Sequence, residues 1–518
     1  MVPTRAPSRP SVAVVLASAA TFALAGVESH EVTVEVDVRR GLPAFTLVGL
    51  PDAAVREARE RVRAALLNSG LEFPLKRLTA NLAPASVRKA GPSFDLALAV
   101  ALLAASEQLP PDRLRETAVW GELSLGGVLR PGRGALATAL GARAAGYARL
   151  VVPVENAEEA ALAEGLEILA VPSLSRLVDL LHGRWQPEPT PSGMRSRPRS
   201  EALDLADVRG QADAKRALEI AAAGAHNLLM IGPPGAGKTM VARRLPGILP
   251  PPSLAEALEI TRIQGAAGLG DGRLAADRPF RAPHHTTSAQ GLTGGGAHPR
   301  PGEITLAHRG VLFLDEVAEF SRAALEALRQ PLEDGRIEVT RGQRSVGFPA
   351  RVMLVAACNP CPCARPAQDC RCSEIDRLRY SRRLSGPLLD RIDLVCQATP
   401  PPVAELVAPE PCAGECSEAV RARVVAARER QHHRLAGTGA LCNAEMDGPL
   451  TRRYARLGAE ARGLLASAAS GPLTGRGHDR VLRLGRTIAD LDDRERIATG
   501  DVEEALAYRM SSRVAHAA

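Results

Sequence analysis

Hydrophobic and polar positions follow two different periods in the first part of the chain. Val32–Val38 (VTVEVDV) alternates strictly, as a half-buried β-strand does, because successive strand side chains point to opposite faces. Asp52–Asn68 and Phe94–Ala105 instead carry alanine and leucine at the three- and four-residue spacing of helices. The pattern predicts a mixed α+β domain at the amino terminus.

One apolar run near the amino terminus has the outline of a signal peptide. Ser11–Gly26 is apolar and follows Arg5 and Arg9. Because the alternating strand comes immediately afterwards, we interpret the run as the first structured element of the domain. No stretch is long enough to span a bilayer as a helix. The sequence therefore predicts a protein that is neither secreted nor bound to a membrane.

Later segments of the chain are mainly apolar and short, which is typical of parallel strands buried on both faces. They are His226–Ile231 (HNLLMI), Val311–Leu314 (VLFL) and Val352–Ala357. Amphipathic helical patterns follow at Gly458–Ser467, His478–Leu491 and Val502–Met510. We predict an α/β core with a mainly parallel sheet, followed by a small helical lid.

The first of these strands leads into a glycine-rich loop that fits the pattern G-x-x-x-x-G-K-[ST]. This spacing is typical of a loop whose backbone N–H groups hold nucleotide phosphates. Its lysine, one of four in the chain, can reach the β- and γ-phosphates, and its threonine hydroxyl can bind Mg²⁺. The predicted ATP-binding residues are Gly232, Pro233, Pro234, Gly235, Ala236, Gly237, Lys238 and Thr239. We expect Thr239–Leu245 to form the helix after the loop.

Polar groups at the ends of the other two strands predict hydrolysis of the bound nucleotide. Asp315 follows Val311–Leu314 and is expected to hold Mg²⁺ as a cofactor. The adjacent Glu316 can position the attacking water, and Asn359 stands where a polar residue that orients this water is expected.

Composition limits the remaining possibilities without deciding among them. The chain has 518 residues, a formal net charge of +7 and a pI near 9.1, values that permit nucleic-acid binding but do not identify it. Aromatic residues make up only 3%, so stacking on bases is not expected to dominate any such contact. The odd number of cysteines, nine, favours a reducing cytoplasm over a disulfide framework.

Four of the cysteines form the one constellation that predicts a second metal. Cys361-x-Cys363 and Cys370-x-Cys372 place four thiolates within twelve residues, enough for tetrahedral Zn²⁺. The C-x-C spacing is tighter than the usual C-x₂₋₄-C, so reduced cysteines in a structural loop are the alternative.

Composition and patterning also divide the chain. We predict a first domain over residues 1–183, a linker over 184–203 that is rich in proline, serine and arginine, an ATPase core over 204–399, and a second linker with the helical lid over 400–518.

Longer segments resemble the magnesium-chelatase-like AAA+ family of the ComM/YifB type. They follow the family order over almost the whole length. The matching segments are Gly41–Arg63 (GLPAFTLVGLPDAAVREARERVR), Asn81–Asp95 (NLAPASVRKAGPSFD), Phe280–Thr286 (FRAPHHT), Pro299–His308 (PRPGEITLAH), Gly335–Ala350 (GRIEVTRGQRSVGFPA), Asn359–Cys363 (NPCPC), Ser385–Asp393 (SGPLLDRID) and Arg486–Leu491 (RTIADL).

The resemblance implies a cytoplasmic AAA+ motor that works as a homo-oligomeric ring, expected to be a hexamer, and couples ATP hydrolysis to DNA remodelling. In family members of this type the activity is helicase-like branch migration of recombination intermediates during natural transformation. Arg391 matches the family's arginine finger, which would reach the phosphate held by a neighbouring subunit, and a helix-terminal salt bridge to Asp390 or Asp393 is the alternative. Arg476 matches a second sensor arginine, for which Arg480 and Arg483 compete on the same helix.

A basic hairpin before the strand that ends at Ala357 is the predicted DNA contact. Thr340–Arg344 is a turn between two alternating strands, and its residues Arg341 and Arg344 could bind backbone phosphates without reading sequence. A solvated basic hairpin is the alternative. For the adjacent His284 and His285 we expect a structural or pore-loop role, because nearby carboxylates that would complete a metal site are missing from the local sequence.

The amino-terminal domain is similar to the proteolytic domain of Lon, which pairs a serine with a lysine. Ser93 lies in the matching Gly91-Pro92-Ser93, but Leu136 occupies the position of the lysine. No lysine occurs between Lys89 and Lys215, and a serine without its base is a poor nucleophile. We therefore expect a non-proteolytic scaffold.

Three other functions stay open at this point. The chain could be the ATPase motor of a metal chelatase, although the Lon-like domain argues against this. It could also be an ATP-dependent protease, which the missing lysine disfavours, or a chaperone-like machine that remodels proteins.

Overall fold

A computed structural model gives the fold of the chain. It describes residues 15–50, 52–87, 89, 91–190, 195–199, 202–296, 299–341, 344–365, 369–401, 414–469 and 474–517. The described residues form two compact units. The first draws on Met1–Arg197, Thr261–Leu274 and Ala297–Arg300, and the second on Pro198–Ile260, Ala275–Gly296 and Pro301–Ala518.

A seven-stranded mixed sheet forms the centre of the first unit. The strands up to residue 197 are β1 (Val15–Ala25), β2 (Glu28–Arg39), β3 (Ala44–Val48), β4 (Arg77–Ala83), β5 (Thr117–Val119), β6 (Glu122–Leu123), β7 (Leu129–Arg130), β8 (Arg149–Pro153) and β9 (Glu167–Val171). The sheet order is β3-β4-β2-β1-β5-β8-β9, and β6 and β7 form a separate pair. The antiparallel pair β1–β2 is the longest and runs from Val15 opposite Val38 to Ala25 opposite Glu28.

Helices cover this sheet because they carry the apolar residues that it needs. They are α1 (Ala53–Asn68), α2 (Asp95–Ala105), α3 (Ala135–Ala144), α4 (Ala157–Ala160) and α5 (Leu174–Leu181). Every residue of α2 is buried. Its single charged residue, Asp95, accepts hydrogen bonds from Arg61 Nε at 2.8 Å and Nη2 at 3.0 Å, so the charge is paired inside the core. At the start of α1, Asp52 accepts a hydrogen bond from Val55 N and caps the helix.

The predictions for this region are confirmed. The alternating segment lies inside β2, and the apolar run that has the outline of a signal peptide supplies β1, with its first residues outside the described part of the chain. In the described residues, no helix combines the length and the apolarity that a membrane crossing requires.

A five-stranded parallel sheet forms the centre of the second unit. The strands after residue 204 are β10 (Leu228–Ile231), β11 (Phe280–Arg281), β12 (Gly294–Gly295), β13 (Arg300–Pro301), β14 (Val311–Leu314), β15 (Arg336–Arg341), β16 (Arg344–Pro349), β17 (Met353–Cys358) and β18 (Leu394–Gln397). The sheet order is β11-β14-β17-β10-β18. All neighbours in it run parallel, so the carboxyl ends of β10, β14 and β17 meet at one edge.

The helices of this part of the chain surround the parallel sheet and continue into a helical carboxy-terminal region. They are α6 (Ala212–Gly224), α7 (Lys238–Ala242), α8 (Leu245–Ile248), α9 (Leu254–Ala267), α10 (Ala289–Thr293), α11 (Glu303–Leu306), α12 (Arg322–Ala327), α13 (Arg329–Asp334), α14 (Glu374–Ser381), α15 (Gly386–Leu389), α16 (Ser417–Leu435), α17 (Gly448–Tyr454), α18 (Ala459–Ala469), α19 (Gly475–Leu491) and α20 (Thr499–Ala517). α19 packs against α20, α16 and α6, which places the lid helices on the core.

One helix prediction was wrong in its extent. The helix expected over Thr239–Leu245 ends at Ala242, and a second short helix begins at Leu245. Pro246 explains the break, because proline lacks the amide hydrogen that a continuous helix would need at that position.

Candidate functional site: a phosphate loop and a separate arginine pair

The glycine-rich loop connects the carboxyl end of β10 to α7. Gly232 is required by close packing, since a Cβ atom at this position would lie 2.1 Å from the carbonyl oxygen of Ala398. Gly235 and Gly237 have φ angles of 76° and 81°, in the left-handed region that favours glycine. The loop therefore depends on its glycines for its shape and leads directly into the amino terminus of α7.

Lys238 is folded back onto the loop that carries it. Its Nζ donates hydrogen bonds to the carbonyl oxygens of Gly232 at 2.6 Å and Pro233 at 2.9 Å, and to Oδ1 of Asn359 at 3.2 Å. Burial lowers the pKa of the Lys238 ammonium from its ordinary value. The contact with Asn359 brings the end of β17 to the phosphate loop, as the sequence predicted for a polar residue at that position.

Thr239 and Asp315 form an oxygen pair beside the lysine. Thr239 Oγ1 donates a hydrogen bond to Asp315 Oδ2 at 2.6 Å, and the backbone N–H of Glu316 donates to Asp315 Oδ1 at 2.9 Å. A hydroxyl and a carboxylate are ligands that suit Mg²⁺, a hard cation that prefers oxygen. The donor set at the end of β14 therefore fits the metal that the motif implies.

Glu316 follows directly and is held in an unusual backbone conformation. Its φ of 49° lies in the left-handed region, which costs energy for a residue other than glycine. Its carboxylate lies 3.5 Å from Nδ1 of His285, whose ring stacks on His284 with centroids 4.1 Å apart. Sequence reasoning missed His285 as a neighbour of this glutamate, although the adjacent histidines of FRAPHHT were the visible signal.

Arg391 and Arg476 are brought together at a different carboxylate. Arg391 Nη2 donates a hydrogen bond to Glu333 Oε2, and Arg476 Nη2 lies 3.6 Å from Glu333 Oε1. Within the described residues, no hydrogen bond or ion pair joins either arginine to the phosphate loop of the same chain. Glu333 was also missed, because nothing in its local sequence sets it apart from other helical glutamates.

The two arginines that compete with Arg476 on α19 have other partners. Arg480 lies 3.4 Å from Asp393 Oδ1 and donates to the Ile392 carbonyl at 3.3 Å. Arg483 donates to the Ala444 carbonyl at 2.9 Å. The side chain of Arg476 is 69% exposed, so it is the member of the three that is most open to a partner from outside the chain.

The four cysteines predicted to bind a metal lie together in space. The sulfur atoms of Cys361, Cys363, Cys370 and Cys372 all lie within 4.8 Å of one another. Cys361 Sγ is 3.4 Å from Cys363 Sγ and 3.7 Å from Cys370 Sγ. Tetrahedral zinc with Zn–S bonds of about 2.3 Å separates its sulfur ligands by about 3.8 Å. Backbone amides of Arg365 and Arg371 lower the pKa of Cys363 to about 6, which favours its thiolate. The arrangement fits a zinc ion.

The predicted DNA-binding hairpin consists of β15 and β16. The strands pair antiparallel from Arg336 opposite Pro349 to Arg341 opposite Arg344, while Gly342 and Gln343 lie outside the described residues. Ile337 and Phe348 are buried at the base and anchor the hairpin. Arg341 and Arg344 therefore take the positions next to the tip.

The Lon-like serine lies in the first unit. Ser93 belongs to a short 3-10 turn, Pro92–Phe94, and Leu136 is buried in α3. The nearest lysine in sequence, Lys89, is fully buried and donates a hydrogen bond to the Pro84 carbonyl. The placement of Leu136 in the hydrophobic core agrees with a scaffold role for the domain.

Three family models match successive parts of the chain. The model described as subunit ChlI of Mg-chelatase matches residues 34–156, that of magnesium chelatase, subunit ChlI, matches 204–406, and that of the ChlI carboxy-terminal part matches 414–509.

Relatives of known sequence match over nearly the full length. An uncharacterized protein of Mycobacterium tuberculosis is 46% identical over 502 residues, covering 96% of this chain and 99% of that protein. The uncharacterized protein YifB of Escherichia coli is 44% identical over 501 residues, with 95% and 97% covered. Competence protein ComM of Haemophilus influenzae is 42% identical over 501 residues, with 94% and 96% covered.

Two similarities cover only part of the chain. Lon protease 2 of Bacillus subtilis is 30% identical over 162 residues, 27% of this chain and 28% of that protein. The Holliday junction branch migration complex subunit RuvB of a Synechococcus strain is 30% identical over 190 residues, 34% of this chain and 43% of that protein.

Proposed function

The chain belongs to the magnesium-chelatase-like AAA+ ATPases of the ComM/YifB type, and we propose that it couples ATP hydrolysis to the remodelling of branched or single-stranded DNA. Its fold is that of the family: a phosphate-loop α/β core with a helical lid, preceded by a Lon-like α+β domain. The DNA part of the proposal rests on the similarity to competence protein ComM over nearly the full length. The partial similarity to a branch migration subunit supports it.

The residues at the edge of the parallel sheet have separate roles in hydrolysis. Lys238 binds the phosphates through its ammonium group, and Thr239 and Asp315 would hold Mg²⁺, which neutralises charge on the phosphate oxygens. Glu316 accepts the proton of the attacking water, and Asn359 orients that water through its side-chain amide. ATP and Mg²⁺ are the cofactor set that this arrangement serves.

A ring of subunits completes the site. Arg391 and Arg476 are joined to Glu333 and not to the phosphate loop of their own chain, so we assign both to the ATP site of a neighbouring subunit. A cation supplied by a neighbour stabilises charge in the transition state of phosphoryl transfer. This division makes hydrolysis dependent on assembly, and a hexamer is the ring size we propose.

The test of the DNA function is ATP turnover by the full-length protein with no DNA, with single-stranded DNA, with duplex and with a four-way junction. We expect single strands or the junction to stimulate turnover more than duplex does. A branch migration assay on the same labelled junction then measures the mechanical work. Equal turnover in all four conditions would contradict the DNA function while leaving the ATPase assignment intact.

The metal-chelatase motor is the second candidate, because all three matching family models are described by a chelatase subunit. Such a motor would insert a metal into its substrate only together with partner subunits. Turnover that ignores DNA, combined with ATP-dependent insertion of magnesium into a porphyrin when chelatase partners are added, would favour this function over DNA remodelling.

Replacing Arg341 and Arg344 together with alanine should weaken DNA binding without changing turnover in the absence of DNA. Each lost phosphate contact removes about 0.7–0.9 from the slope of log affinity against log salt concentration, so the double variant should bind with a slope smaller by about 1.4–1.8. Fluorescence anisotropy with a labelled single strand over a salt series measures this. Arg322→Ala, which removes an exposed arginine from α12, serves as the control. An unchanged slope would exclude the hairpin as the phosphate contact.

The purified protein should contain about one zinc ion per chain, held by the four clustered cysteines. Cys363→Ser combined with Cys372→Ser should remove the ion and lower the melting temperature, because structural zinc contributes directly to folding free energy. Metal analysis and thermal unfolding measure both effects. Cys416→Ser, at an exposed cysteine outside the cluster, should change neither. Metal-free wild-type protein with an unchanged melting temperature after zinc addition would contradict the site.

A further inference from the structure

Glu333 lies between the two arginines that the proposed function assigns to a neighbouring subunit. One carboxylate oxygen, Oε2, accepts the hydrogen bond from Arg391, and the other, Oε1, lies 3.6 Å from Arg476. A single negative charge thus serves two cations that come from different parts of the chain. The group of three carries a net charge of +1, and +2 once the carboxylate is withdrawn or neutralised.

The surroundings of Arg391 make this carboxylate important to its position. The side chain of Arg391 is only 11% exposed, whereas that of Glu333 is 48% exposed. Arg391 Nη1 donates to the Pro387 carbonyl at 2.7 Å, and its Nε is buried with no hydrogen-bond partner among the described residues. A largely buried guanidinium needs a counter-charge, and in the described residues Glu333 is the acidic group that pairs with it. Glu333 therefore holds the orientation of Arg391.

Both arginines and Glu333 line the same cavity of the second unit, which has a volume of about 740 Å³. A phosphate that reaches Arg391 in this cavity competes with Glu333 for the same N–H donors, because carboxylates and phosphates bind guanidinium groups in the same way. A carboxylate that stayed in place would also repel the phosphate. Full use of both arginines thus requires Glu333 to withdraw.

We propose that Glu333 is a positioning residue that holds Arg391 and Arg476 within their own subunit and so restrains ATP hydrolysis until DNA is bound. This inference rests on the proposed function, which assigns both arginines to the neighbouring ATP site. While the carboxylate pairs with them, the arginines stabilise the neighbour's transition state poorly. When it withdraws, two positive charges become available together.

The position of Glu333 in the chain connects it to the DNA-binding hairpin. Glu333 is the penultimate residue of α13, and Gly335 alone separates that helix from β15. Gly335 has a φ of 63°, and its carbonyl accepts a hydrogen bond from Ala350 N at 2.8 Å, which closes the base of the hairpin. A force on the hairpin is therefore applied one residue beyond Asp334, close to the carboxylate that holds the arginines.

The experiment compares Glu333→Gln with Asp334→Asn in the full-length protein. Asp334 lines the same cavity, but in the described part of the chain no ion pair joins it to either arginine, so its variant removes an equal charge without the contact. Turnover is measured without DNA and with saturating single-stranded DNA, over a range of protein concentrations. Glu333→Gln should raise turnover without DNA about fivefold and reduce the stimulation by DNA by the same factor. Asp334→Asn should match the wild type in both.

The outcomes separate this inference from the function on which it rests. Unchanged or lower turnover of correctly folded Glu333→Gln protein without DNA would overturn the role of Glu333, whatever DNA does to the wild type. A wild type that ignores DNA while Glu333→Gln is faster would contradict the DNA function and support the restraint. If Glu333→Gln does not fold, as judged by thermal unfolding, Glu333→Asp takes its place. Its shorter carboxylate should hold the arginines less well and raise turnover to a smaller extent, and wild-type turnover of that variant would overturn the proposal.

Discussion

Replacing Arg391 with alanine is expected to lower ATP turnover of the assembled protein by about 10³–10⁵-fold while ATP binding is retained. The reason is that a cation from the neighbouring subunit stabilises the charge that develops on the transferred phosphoryl group. Lys238 and Thr239, which bind the nucleotide, are left intact in this variant. Steady-state turnover and the affinity for a fluorescent ATP analogue measure the two properties separately.

Mixing two inactive variants decides whether Arg391 acts between subunits. Arg391→Ala subunits keep an intact phosphate loop, and Lys238→Ala subunits keep an intact Arg391. If the arginine reaches a neighbour, mixed assemblies contain interfaces with both parts, and turnover should recover in part. Mixtures as inactive as their components would place Arg391 in its own site. Arg382→Ala, at an exposed arginine that ends α14, is the matched control and should keep wild-type turnover.

The Glu316→Gln protein is expected to bind ATP normally and to hydrolyse it about 10²–10⁴-fold more slowly than the wild type. Glutamine has the shape of glutamate but cannot accept the proton of the attacking water. The variant should therefore accumulate with ATP bound, which quenched-flow measurement of a single turnover detects.

A neighbouring glutamate provides the control for this variant. Glu319 lies at the end of the short turn after Glu316 and pairs with Arg383 at 2.8 Å. Glu319→Gln removes the same charge from the same region and should hydrolyse ATP at close to the normal rate. Normal turnover of Glu316→Gln would remove this residue from the mechanism and leave His285, its neighbour at 3.5 Å, as the next candidate for positioning the water.

Local patterns in the sequence were sufficient to predict the strands and the phosphate loop. The spacing of Gly232, Gly237 and Lys238 defines a turn whose shape depends only on residues close together in the chain. The same holds for β10, β14 and β17, whose residues are all buried and apolar, and for the polar residues that end these strands. Parallel strands bring their carboxyl ends to one edge, so the meeting of Lys238 with Asn359 also followed from the sequence.

Only the tertiary structure placed His285 beside Glu316 and Glu333 between Arg391 and Arg476. Each of these contacts joins side chains from separate helices or loops, and the periodicity of one segment carries no information about which segment will pack against it. The sequence by itself determined that the chain has a loop built for phosphate and the carboxylates to act on it. Packing of α13, α15 and α19 decided that the arginines gather at a different carboxylate, because that contact depends on how distant segments pack together.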